Sequence, residues 1–165
     1  MKLTKNNYPP LNLPPANLTI RRNDSRPEVF DPVRGRYVTL TPEEWVRQHF
    51  VNFLIDQLSY PKALIANEVF LTLNSTERRA DTIVYDRQAA PLVVVEYKAA
   101  DVKLTRGVLE QALRYNITLN APFLFLSNGL QHYAFHIKSP LEAVALKDLP
   151  TFEQCLAMRA GRSVL

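Results

Sequence analysis

Cysteine is almost missing from this 165-residue chain, where Cys155 stands alone. A single thiol excludes an internal disulfide and any zinc site built on cysteines. No apolar run approaches the length of a membrane span, so no membrane partner is expected. Residues Met1-Lys2-Leu3-Thr4-Lys5-Asn6-Asn7 lack the apolar centre of a signal peptide, which makes the cytoplasm the expected location. There is no long run of basic residues and no internal repeat. Nor is there a Gly-x-x-x-x-Gly-Lys-Ser/Thr phosphate loop, or room for the motor that such a loop would serve.

The composition, 47% hydrophobic and 22% charged, is that of a soluble globular protein. The length suits one domain with a real core. A net charge of +4 and a pI near 9.3 are compatible with an anionic partner such as nucleic acid, although many basic proteins bind nothing acidic.

Six of the 12 prolines lie within the first 32 residues. Pro and Asn dominate there, so residues 1–27 are predicted to form an extended arm that packs on the domain or on a second subunit. Residues 28–165 form the single domain. Val29-Phe30 and Arg36–Leu40 flank a longer hairpin turn. Thr41-Pro42-Glu43-Glu44 starts a helix, with Thr41 as N-cap, Pro42 at the first helical position and Glu44 closing a capping box. That helix should run to about Leu58 with a broad apolar face that includes Trp45, Phe50 and Phe53, residues read as core rather than as base-stacking groups. Strands follow at 64–73, 79–85 and 92–98, a helix at 105–119, and a strand at 123–127. Asn128-Gly129 leads into a strand at 130–137. Thr151-Phe152-Glu153-Gln154 opens a short C-terminal helix through a second capping box, and Cys155 within it reads as inert. The order implies an α/β domain around a mixed sheet.

The most informative stretch is Leu92-Val93-Val94-Val95-Glu96-Tyr97-Lys98, a buried strand that ends in Glu-x-Lys. Side chains alternate along a strand, so Glu96 and Lys98 share a face and Tyr97 takes the other. If the 79–85 strand pairs antiparallel with this one, Asp81 sits beside both. Two carboxylates and a lysine then meet at one point. Mg²⁺ takes oxygen ligands and usually only one or two protein carboxylates, leaving positions for water and phosphate. Lys98 can orient a nucleophilic water or stabilise charge on a phosphate. The alternative is an Asp/Glu/Lys ion-pair network at a sheet edge. Gln111 and Tyr115, four residues apart, share a helix face that can lie across the site. They could bind a phosphate or a bound water, or could form only a polar face. Glu43 or Glu44 could add a carboxylate or merely cap the helix, and Glu68 is open in the same way. His49, His132 and His136 do not cluster. Arg78, Arg79, Lys103, Arg106 and Arg114 flank the site in sequence, as phosphate contacts or as plain solvated surface.

Asp81, then Glu96-Tyr97-Lys98, then Gln111-Ala112-Leu113-Arg114-Tyr115 resembles the PD-(D/E)xK nuclease superfamily in its Asp…Glu-x-Lys…Gln-x-x-x-Tyr form. More narrowly, the chain resembles the N-terminal domain of type I restriction enzyme R subunits and their stand-alone relatives. Leu40–Glu44 with Val46-Arg47-Gln48, the Glu68 strand, Arg79-Ala80-Asp81 and Ser127-Asn128-Gly129 add to the match, which covers about residues 28–137. Ala80 and Thr82 depart mildly from the usual pattern. The resemblance implies a restriction-endonuclease-like core and Mg²⁺-dependent (or Mn²⁺-dependent) cleavage of DNA phosphodiesters. It implies Asp81 and Glu96 as metal ligands, Lys98 as the catalytic lysine, Gln111 and Tyr115 as the accessory helix motif, and Glu44 before Glu43 as the helix carboxylate. The partners it implies are DNA and restriction-system subunits; the Pro-rich arm separately offers a route to a homodimer. The alternative is a non-catalytic nucleic-acid- or partner-binding module that keeps the fold.

Overall fold

A computed structural model describes residues 8–24, 26–140 and 142–161. The first seven residues of the arm, on which the reading of a missing signal peptide rests, lie outside the described residues. Three short strands come first: β1 (Ile20–Asn23), β2 (Arg26–Asp31) and β3 (Arg36–Thr39). They form an antiparallel sheet in the order β1-β2-β3. Asp31 pairs with Arg36 across the longer turn expected there. Helix α1 (Pro42–Asp56) follows, then a 3₁₀ turn at Lys62–Leu64. The second sheet contains β4 (Ile65–Leu73), β5 (Thr76–Tyr85), β6 (Pro91–Tyr97), β7 (Phe123–Ser127), β8 (His132–Ser139) and β9 (Glu142–Leu146). Helix α2 (Arg106–Leu119) joins β6 to β7, and α3 (Phe152–Arg159) closes the chain.

The large sheet is mixed. Its spatial order is β4-β5-β6-β7-β8-β9. Only the β6–β7 pair, linked through α2, is parallel among the described strands; a parallel pair needs such a long crossover. β6 and β7 lie at the centre, buried on both faces, which is why their sequences are unbroken apolar runs. Val93, Val95, Tyr97, Phe123 and Phe125 pack with Val46, Phe50, Val51 and Leu54 of α1 and Phe152 and Cys155 of α3. Val94, Leu124 and Leu126 pack on the other face against Val108, Leu109, Ala112 and Leu113 of α2. The product is an α/β sandwich with helices on both faces.

Four local details differ from the sequence reading. β5 starts at Thr76, because Asn74 (φ 49°) and Ser75 (φ 62°) alone make a tight turn. β7 and β8 are joined through four residues, Asn128 to Gln131, with the Asn128 side chain accepting from the Leu130 and Gln131 N–H groups. β9 was not foreseen. Thr41 caps α1, accepting from Glu44 N–H at 3.0 Å, but the Glu44 carboxylate turns inward instead of completing a capping box. The box at Thr151 and Gln154 forms in full.

The arm carries no helix between residues 8 and 19. The Tyr8 hydroxyl donates to Leu40 O, Trp45 Nε1 donates to Pro9 O, and Asn12 N–H donates to Gly129 O. Leu11 seats against Gly129, whose φ is +82° and where a Cβ would lie 2.7 Å from Leu11 Cδ2. Gly129→Ala is therefore expected to lower stability by about 1–3 kcal/mol through backbone strain and displacement of the arm. Urea denaturation measures it, and an unchanged midpoint would detach the arm from the fold.

Candidate functional site

β5 and β6 pair antiparallel, with Thr82 opposite Val95 and Ile83 opposite Val94. The ladder ends at the Thr82–Val95 pair, with Asp81 and Glu96 just beyond it, and Asp81 Oδ2 accepts from Tyr97 N–H at 2.9 Å. The antiparallel pairing therefore brings the two carboxylate residues to neighbouring positions. Glu96 shares its parity with Val94, which faces α2, and is only 7% exposed. Lys98 lies just past the end of β6, its N–H donating to Ser127 O. Its Nζ stands 3.7 Å from Glu96 Oε1. Asp81, Glu96 and Lys98 thus meet as the spacing anticipated.

Two arginines complicate the picture. Arg47 on α1 bonds Glu44, approaches Glu68 at 3.4 Å and reaches Asp81 Oδ1 at 3.1 Å. Arg34, from the β2–β3 turn, pairs with Asp31, with Glu44 at 2.6 Å and with Glu68 at 2.8 Å. Gln48 also donates to Glu44. Both Glu44 oxygens are engaged, whereas Glu43 is exposed. A polar cavity of about 330 Å³ opens beside this arginine network, with Arg34, Glu43, Glu44, Arg47, Glu68 and Arg79 among its walls and without Asp81, Glu96 or Lys98. Glu68 occupies a left-handed conformation (φ 54°) inside β4. Asn67 pairs with Thr82 and Val69 with Ala80, leaving Glu68 and Asp81 between two ladder pairs. A non-glycine residue held in this region stores strain of about 1–3 kcal/mol, the kind of feature that collects at functional sites.

Arg34, Asp31 and Asn67 were not singled out from sequence. Buried Asp31 accepts from the Val33 and Arg34 N–H groups and from Asn67 Nδ2. Asn67 in turn accepts from Thr82 Oγ1 at 2.7 Å. The mild oddity of Thr82 is thereby explained: its hydroxyl begins a hydrogen-bonded chain that ends on Arg34. The available signal was a polar residue at an inward position on each of two adjacent strands, Asn67 and Thr82. The turn arginine itself carries no local signal.

Burial, the neighbouring Asp81 and the more distant Glu43 push the Glu96 carboxyl up to about 8 against the opposing pull of Lys98. Without a cation it is protonated at neutral pH. Below its ordinary value of 4.5 both folded and unfolded chains hold this proton. Above that, only the unfolded chain releases it, so stability falls from about pH 5 to 8 and then levels. Relative to Glu96→Gln, the wild type should lose melting temperature across that window in chelator. Parallel curves would show that Glu96 is not burdened in this way.

Hard oxygen donors in a pair suit Mg²⁺, and a carboxyl that burial and a neighbouring carboxylate keep protonated would ionise more readily beside a cation. By donor chemistry Asp81 and Glu96 fit such an ion. Among the described residues the Glu96 carboxylate is in contact only with Lys98, whereas Asp81 shares Oδ1 with Arg47 and Oδ2 with Tyr97 N–H, and both Glu44 oxygens are engaged. Among the described residues, no cluster of three or more His, Cys, Asp or Glu is arranged to hold a metal.

Gln111 and Tyr115 bond each other, Nε2 to Oη at 3.3 Å. Among the described residues neither bonds Asp81, Glu96 or Lys98. They line a separate cavity beside the β4–β5 turn. The histidines are dispersed: His49 meets Trp45 O, His132 meets Ser127 and Asn12 O, and His136 stacks on Phe123. Phe50 is fully buried. No helix among the described residues is long and apolar enough to cross a membrane.

A family model described as the N terminus of type I restriction enzyme R protein matches residues 42–150. In structure, the chain is similar to a fragment ascribed to an HsdR subunit of a type I restriction enzyme from Vibrio vulnificus YJ016. The TM-score is 0.58 at 20% identity, over 74% of this chain and 26% of that one. It also matches the type IIG restriction endonuclease BpuSI, with a TM-score of 0.40 at 22% identity over 66% of this chain and 13% of that one. Curated proteins offer no significant match. The chain thus spans about a quarter or less of the solved relatives, and the first of them shows the restriction-endonuclease-like fold.

Proposed function

Because this chain belongs to the family of type I restriction enzyme R protein N termini, we propose that it is a Mg²⁺-dependent endonuclease that hydrolyses DNA phosphodiester bonds. The observation that carries this reading is the placement of Asp81 and Glu96 on paired strands with Lys98 3.7 Å from Glu96. Asp81 and Glu96 would hold the metal. When bound, Mg²⁺ supplies a Lewis acid for the phosphoryl oxygen and makes water acidic enough to attack near neutral pH. Lys98 places its ammonium against the charge that grows on the scissile phosphate, in a site where burial strengthens that attraction. Water attacks in line with the leaving oxygen. DNA and the other subunits of a restriction system are the proposed partners.

A second reading, a binding module that keeps the nuclease fold, draws on one specific observation. Arg34 and Arg47 already neutralise Glu44, Glu68 and Asp81. Two measurements separate the readings: nicking of supercoiled plasmid with Mg²⁺ or Mn²⁺, and calorimetric titration with the metal alone. Cleavage with measurable metal affinity supports the nuclease; DNA binding with neither supports the module.

A further inference from the structure

The motif residues Gln111 and Tyr115 line a cavity of about 270 Å³ whose walls do not include the carboxylates. Leu73, Asn74, Arg78, Arg114 and Ile117 complete it. Its walls are unlike those of the metal site. Leu73, Ile117 and the Tyr115 ring give it an apolar lining, and Gln111 and Asn74 bring amides to its edge. Arg78 and Arg114 have no carboxylate partner among the described residues. The Arg78 guanidinium stands 5.8 Å from the centre of the Tyr115 ring.

We propose that this cavity holds one unstacked nucleobase of a DNA strand, with Arg78 and Arg114 on the flanking phosphates. The chemistry selects this occupant. An apolar slot with an aromatic wall suits the face of a base, because every base presents a π-surface. Amides read its hydrogen-bonding edge. Two uncompensated arginines suit the charge on either side of a nucleotide, where a purely apolar ligand would leave them unused. Arg78 and Asp81 lie three residues apart on β5, about 10 Å at the rise of a β-strand, with side chains of opposite parity, so the cavity and the carboxylates are neighbours along the strand and do not share a face. The inference rests on the nuclease reading only in its choice of DNA. It adds that the preferred substrate carries an unpaired or extruded nucleotide near the cut.

The test measures binding in chelator, where no cleavage occurs, with oligonucleotides carrying 2-aminopurine. A single strand and a mismatched duplex should bind at least about tenfold more tightly than a perfect duplex, with a change in 2-aminopurine emission. Tyr115→Ala should weaken binding by about 5- to 100-fold, the range of one lost stacking contact, while Tyr115→Phe retains it. Arg114→Ala should lower the salt dependence by about one phosphate. Ile117→Glu keeps the proposal testable if Tyr115→Ala fails to fold, since Ile117 is 66% exposed and the new charge opposes the phosphates. Equal affinities across these DNAs and variants overturn the pocket. The two readings fail separately. If Asp81→Asn and wild type both lack cleavage yet show the base preference, the pocket stands without the nuclease. If wild type cleaves and the pocket variants bind unchanged, only the pocket falls.

Discussion

Lys98→Met is expected to reduce Mg²⁺-dependent nicking of plasmid DNA by about 10²–10³-fold, the cost of removing one preorganised stabilising group from a water-poor site. Asp81→Asn and Glu96→Gln should reduce it further, because each removes half of the carboxylate pair. The argument is geometric. Asp81 is fixed by Tyr97 N–H at 2.9 Å and the Glu96 backbone by its pairing with Leu126. Lys98 is tied at its backbone to Ser127 O. Initial rates from the decay of supercoiled plasmid, with circular dichroism to confirm folding, provide the measurement. Nicking that survives both carboxylate substitutions would assign the activity elsewhere.

Arg47→Ala is expected to destabilise the fold by about 3–5 kcal/mol, the usual cost of breaking one side of a buried ion pair. Arg47 is 3% exposed. Its loss leaves Asp81 Oδ1 without its cation and Glu44 dependent on Arg34 and Gln48 alone. An exposed pair would contribute only about 0–1 kcal/mol, so the size of the effect decides whether this network behaves as buried. Arg47 Nε has no hydrogen-bond partner among the described residues, which subtracts from what the pairing contributes. Urea denaturation of Arg47→Ala, Glu44→Gln and the double variant isolates the coupling. A loss below about 1 kcal/mol would mean that Asp81 and Glu44 are solvated once the arginine is gone.

Where pattern and local chemistry agree, the sequence was enough. The apolar run before Glu96-x-Lys98, the Thr41-Pro42 helix start and the Thr151–Gln154 box depend on neighbours within a few residues. The pairing of Asp81 with Glu96 was also legible, because two consecutive strands joined by a short turn are antiparallel and bring the start of one to the end of the other. β9 was not legible, since Glu142–Leu146 lies at a sheet edge and carries no sustained burial pattern.

Chain order thus determined the elements that carry the site, and that two carboxylates and a lysine converge. Only the tertiary structure decided what stands among them. Arg34 comes from a turn 34 residues before Glu68, and Arg47 from a helix 34 residues before Asp81. Contacts over such separations follow from how layers pack, which local periodicity does not encode. The same holds for Gln111 and Tyr115. Their i,i+4 spacing put them on one helix face, but the way α2 packs on Val94, Leu124 and Leu126 places that face in a cavity beside the β4–β5 turn, whose walls do not include Glu96.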